Sequence, residues 1–153
     1  MLAKAQYNRR GCSRSVFVGR VTFIDLECNI VSILQSAGDS RQAGITYHLS
    51  LVDVWSSQEK ESQYLPEAYD NDGFIHCTDG LENLLDVGNM FYTADPRDFC
   101  VLVLNTSAIE SEIRYEDPDE VFPHVYGPLN TDAVVGYLRV IRGENGAFIS
   151  FEQ

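Results

Sequence analysis

The stretch "DGFIHCTDG", residues 72–80, decides how the rest of the chain is read. Phe74, Ile75 and Cys77 are apolar and favour burial, yet His76 and Thr78 stand among them. Side chains alternate along a strand, so a strand over 74–78 puts Phe74, His76 and Thr78 on one face. Thr78 then stands where it can cap a helix predicted from "DGLENLLDVGNMFY". Leu81, Leu84, Leu85 and Phe91 form the apolar stripe of that helix.

The same local design occurs earlier, in "ITYHLS", residues 45–50. Ile45, Tyr47 and Leu49 fall on one face of a strand, and Thr46, His48 and Ser50 on the other. Ser50, followed by Asp53, reads as the cap of a helix through Val54 and Trp55. Each histidine thus ends a strand, with a hydroxyl two residues on.

Outward from these two segments, "YLPEAYDNDG" (64–73) reads as a loop and "DPRD" (95–98) as a turn. "FCVLVL" (99–104) is apolar throughout, as expected of a strand buried on both faces. "SEIRYED" (111–117) alternates, with Ile113 and Tyr115 facing one way and Arg114 and Glu116 the other. "PDEVFPHVYGPLN" (118–130) reads as a loop with three prolines. "AVVGYLRVIR" (133–142) and "GAFISF" (146–151) read as strands joined by the hairpin signal "GENG". The expected class is α+β, with a mixed, mainly antiparallel sheet flanked by two or three helices.

Upstream, "IDLECNIVSILQ" (24–35) has the apolar spacing of a helix face, and "SAGDSRQAG" (36–44) reads as a loop. The expected organisation is an extension over 1–43 and a domain over 44–153. Residues 1–24 carry Lys4, Arg9, Arg10, Arg14 and Arg20 and no acid, which leaves −17 for the remainder of a chain of net charge −12. Such a start has the composition of an organelle transit segment, and equally of a basic tail. A cytoplasmic location is expected, with import through that start as the alternative.

The strong net negative charge disfavours non-specific binding to nucleic acid or anionic membranes. No apolar run reaches transmembrane length. Cys12, Cys28, Cys77 and Cys100 form no C-x-x-C pair and read as buried, reduced thiols.

The three histidines carry the chemical expectations. His124 lies in "FPHVYG" and Glu116 stands eight residues before it. Strand ends and loops are where sites are usually built. Against this, a strand histidine often serves only as a hydrogen-bonding group in the core, and Ser50 and Thr78 are explained by capping alone. Three chemistries fit the pattern. His48, His76, His124 and Glu116 could ligate a metal, but no local ligand spacing supports it, so none is expected. Two H-x-[ST] segments, His48–Ser50 and His76–Thr78, suit a paired-histidine phosphoesterase with one base and one acid.

The third comes from resemblance. "TYHLS", "DGFIHCT", "IRYE" and "FPHVYGPLNTDAVV", spread over residues 44–141, resemble the bacterial domain-of-unknown-function family 952. Its fold is similar to that of ADP-ribosyltransferases, including the RNA 2′-phosphotransferase branch. The resemblance implies small sheets forming a cleft for NAD, ADP-ribose or a related nucleotide. It implies catalytic places for His48 at the ribose, His76 on the second strand and Glu116 at an oxocarbenium-like transition state. Ser50 and Thr78 are ligand-binding candidates through the phosphate of the two-histidine reading, His124 and Tyr126 are further candidates lining the cleft, and Arg114 or Arg41 are the nearest candidates for the pyrophosphate. A cleft holding Glu116 favours glycosidic chemistry over phosphodiester hydrolysis. Two like charges about 4 Å apart cost about 4 kcal/mol at an effective dielectric near 20.

Overall fold

The computed structural model of the chain describes residues 42–153. The predicted helix over 24–35, the basic start and Arg41 lie outside them. In chain order the described residues form β1 (Ile45–Leu51), α1 (Val52–Gln58), β2 (Gln63–Tyr64), α2 (Tyr69–Asp72), β3 (Ile75–His76) and α3 (Leu81–Phe91). There follow β4 (Phe99–Asn105), β5 (Glu112–Tyr115), β6 (Pro123–Tyr126), β7 (Leu129–Asn130), β8 (Val134–Arg142) and β9 (Phe148–Glu152).

Three antiparallel sheets result, of order β1-β4-β8-β9, β3-β6-β5 and β2-β7. β4, apolar from Phe99 to Leu104, lies inside the four-stranded sheet and buries both faces. Val101 and Val103 join Tyr47, Leu84 and Leu138 on the α3 side. Cys100, Leu102 and Leu104 join Tyr64, Ile75, Val125 and Leu129 between the sheets. Each fully buried Leu or Val contributes roughly 1.5–3 kcal/mol. α3 approaches closely at Gly88, where an added Cβ would lie 2.7 Å from the ring of Phe148.

The β8–β9 turn closes at Gly146, whose φ of +80° suits glycine. Arg142 fastens this hairpin to the end of α3. Its guanidinium donates to Gly146 O, Tyr92 O, Thr93 O and Asp95 O while lying over the Phe148 ring.

Several expectations need correction. Ser50 and Thr78 cap no helix: the N-caps are Leu51 and Gly80, and neither makes a side-chain cap bond. Thr78 is instead buried, and its backbone exchanges two hydrogen bonds with Tyr47, at 2.8 and 3.0 Å, which join β1 to the segment after β3. The 74–78 strand is therefore short, because the chain turns from one sheet to the other after His76. The 64–73 loop contains α2, and the proline-rich 118–130 loop contains β6 and β7. Pro123 stands at the first residue of β6, where its missing N–H is not needed, and its carbonyl accepts from Cys77 N at 2.9 Å. Cys77 and Cys100 are free, buried thiols. Burial raises the pKa of both, that of Cys100 to about 12.

Candidate functional site

Register across β3-β6-β5 sorts its side chains by face. Ile75 opposes Val125, which opposes Ile113, and this row faces the core. One position along, His76 opposes His124, which opposes Arg114, and this row faces outward. With alternate residues on one face, Phe74, Tyr126 and Glu116 fall beside that outer row.

These side chains touch. The rings of His76 and His124 lie edge to face, centroids 5.2 Å apart. Phe74 stacks on His124 at 4.1 Å and meets His76 edge-on at 4.7 Å. Each histidine has a carboxylate partner: His76 Nε2 lies 3.1 Å from Asp72 Oδ2, and His124 Nδ1 lies 2.8 Å from Glu116 Oε2. A carboxylate only accepts, so both ring nitrogens are donors here. In each neutral ring the other nitrogen is left as an acceptor. Tyr126 O–H also donates to Glu116 Oε2, at 2.7 Å. Bonds from His124 and then Tyr126 hold the Glu116 carboxyl below its ordinary pKa. The Arg114 guanidinium lies 4.3 Å from the centre of the Tyr126 ring and pairs with Glu112. An imidazole oriented by an acid is the elementary unit of acid–base catalysis, and two such units stand side by side.

His48 is elsewhere. It is 4% exposed and points between the sheets. Its Nδ1 lies 2.7 Å from the carbonyl of His76, and its Nε2 lies 3.0 Å from Tyr64 Oη. The carbonyl fixes Nδ1 as the donor. Burial lowers the His48 pKa to about 4, so the ring is neutral and Nε2 accepts from Tyr64. Ser50 Oγ lies 2.7 Å from the same phenol oxygen.

Five of the eight residues singled out by sequence thus share one face: His76, Arg114, Glu116, His124 and Tyr126. His48, Ser50 and Thr78 are buried away from it. The paired H-x-[ST] arrangement is corrected accordingly: His48 meets the backbone of His76 and not its ring, and neither hydroxyl lies on the outer face. Of the four residues of the metal alternative, His76, His124 and Glu116 share the outer face and His48 does not. Among the described residues no group of three or more His, Cys, Asp or Glu is placed to hold a metal ion. Sequence reading missed Asp72 and Tyr64. Asp72 stands four residues before His76, a spacing that brings it alongside only because α2 turns into β3. Tyr64 lies in a two-residue strand with no periodic signal.

Residues 50–137 match the family described as "Protein of unknown function (DUF952)". The chain belongs to this family. The match contains the whole outer face and begins two residues after His48. No curated protein matches. Among solved structures, the crystal structure of protein CC0527 from Caulobacter crescentus is 17% identical, with a TM-score of 0.59 over 69% of this chain and 93% of that one. The solution structure of the same protein gives a TM-score of 0.55 at 17% identity, over 67% and 90%. These neighbours support a small α+β fold of mostly antiparallel sheets and lend nothing to an ADP-ribosyltransferase likeness. Among the described residues no helix is long and apolar enough to cross a membrane.

Proposed function

We propose that the outer face of β3-β6-β5 binds NAD, ADP-ribose or a related nucleotide, and that the chemistry it suits is glycosidic, at the ribose. The observation that carries this reading is the Glu116 carboxylate, gripped through one oxygen by His124 and Tyr126 beside His76. Held ionised, it favours a cationic, oxocarbenium-like centre. Phe74 and Tyr126 offer ring faces for stacking. Arg114 is the pyrophosphate candidate. Its exposed pair with Glu112 is worth at most about 1 kcal/mol, so exchanging that partner for a phosphate is cheap. ADP-ribosyl or 2′-phosphate transfer is the reaction class, and the cytoplasm the compartment, that go with this ligand.

Calorimetry with NAD and ADP-ribose, paired with an assay of nicotinamide release, tests the reading. Both ligands bind, and at 100 times its dissociation constant each stabilises the fold by about 2.7 kcal/mol. Glu116→Gln keeps the affinity within a few-fold and slows release at least about 100-fold. Binding without release in the wild type makes the protein a nucleotide-binding module. No binding of either ligand overturns the reading.

One observation favours a second reading. His76 and His124 each carry an orienting carboxylate, as an acid–base pair for phosphodiester cleavage requires. Hydrolysis of a 2′,3′-cyclic nucleotide, lost in both His76→Ala and His124→Ala, would support it over the first.

A further inference from the structure

We propose that the cleft enclosed by the end of β1, α1 and α2 binds a small, uncharged molecule with one or two apolar rings and a single N–H or O–H donor. This site is separate from the outer face, and the proposal does not depend on the nucleotide reading.

The cleft has a volume of about 300 Å³. A cavity of about 150 Å³ accepts benzene, so there is room for one or two fused rings. Val54, Tyr92 and Phe99 supply apolar and aromatic wall. Ser50 and Tyr64 form the polar base, at 2% and 0% exposure.

Proton bookkeeping fixes what that base offers. His48 Nδ1–H is committed to the carbonyl of His76, so Nε2 takes the Tyr64 proton. The single Ser50 proton then has two acceptors within reach, Leu51 O at 3.1 Å and Tyr64 Oη at 2.7 Å. Every donor in the chain Ser50, Tyr64, His48 is spent on the protein. Ser50 Oγ keeps lone pairs and has no proton for a ligand, so the base recognises donors.

The rim excludes anions. Among the described residues lining the cleft, the cation is Arg97. Its guanidinium already donates to Asp95, at 2.7–3.1 Å, and to Glu67, at 2.9 Å. Engaged by two carboxylates, Arg97 is no free cation for a ligand anion, and Glu67 stands in the lining beside it. A ligand carboxylate or phosphate would meet repulsion at the mouth and an acceptor at the base.

Indole, 1-methylindole and indole-3-carboxylate are the probes, titrated into the full chain with backbone amide NMR and calorimetry. Indole is expected to bind saturably and to shift the amides of Ser50, Leu51 and Val54, leaving those of His124 and Tyr126 in place. Methylation removes the donor and should weaken binding about tenfold. The carboxylate should bind more weakly still. Ser50→Ala should abolish the preference for indole over 1-methylindole. Val54→Phe, which fills the cleft without touching the polar base, should abolish binding of all three. Equal affinity for indole and its methyl derivative, shifts confined to the outer face, or no saturable shift in the wild type each overturn the proposal. The wild-type titration decides even if a variant fails to fold.

Discussion

His48 and His76 occur in look-alike segments, "HLS" and "HCT", and meet opposite fates. His48 is sealed between sheets, neutral, with both ring nitrogens bonded inside the protein. The side chain of His76 is 57% exposed and pairs with Asp72 at the surface. The difference is made by neighbours and not by the motif. The polar face of β1 is covered by Tyr64 from β2, whereas among the described residues no strand covers the outer face of β3-β6-β5. A polar residue on a strand is a structural strut or a reagent according to what lies above it.

The largest expected effect comes from exchanging each histidine for phenylalanine. His48→Phe strands two buried partners, the His76 carbonyl and the Tyr64 hydroxyl, and should cost about 3 kcal/mol or more in denaturant unfolding. His76→Phe should cost no more than about 0.5 kcal/mol. Similar losses at the two sites would break the comparison.

Next is the dependence on pH. An unfolded histidine takes its proton near 6.5 and folded His48 only near 4. Between those values the unfolded chain binds more protons, so stability is fully present above pH 6.5 and is lost as pH falls toward 4. The loss from this group is about 3 kcal/mol. His48→Phe should remove that part of the slope, and His76→Phe should keep it. A wild-type stability that is flat over this window would show that His48 is not held neutral.

The phenols give a smaller contrast. Tyr64→Phe leaves His48 Nε2 and Ser50 Oγ without their shared partner and should cost about 1–3 kcal/mol. Tyr126→Phe removes an exposed bond to Glu116 and should cost under about 0.5 kcal/mol in thermal unfolding. Smallest of all, Glu116→Gln should change stability within about 0.5 kcal/mol, whatever it does to chemistry. A large loss there would mean that the outer face is scaffold.

Much of this was legible in the sequence, for identifiable reasons. Alternation in "ITYHLS" and the unbroken apolar run in "FCVLVL" placed β1 and β4, because a period of two is a local property. Alternation in "SEIRYED" set Arg114 and Glu116 apart from Ile113. The outer set was legible as residues but not as a surface: cross-strand register brings His76 to His124, and register is not written in either segment. β6 was hidden by Pro123 and the prolines on either side of it, although a proline at a strand's first residue costs no ladder bond. The roles of Ser50 and Thr78 were misread because a hydroxyl before a helix signals a cap, while burial gave each a different role. Tyr64 decides the fate of His48 from 16 residues away, and nothing local announces it.

The two buried thiols turn the core between the sheets into a clock. Cys77 follows β3, Cys100 lies in β4, and both belong to the same apolar cluster. With burial holding both as unreactive thiols, neither meets a labelling reagent until the layers part. In a chain with Cys12 and Cys28 replaced by serine, modification of both at one rate marks whole-domain opening. Modification of Cys77 ahead of Cys100 marks peeling of the three-stranded sheet alone. The order of labelling therefore reads out whether the surface carrying His76 and His124 can loosen while the four-stranded sheet stays closed.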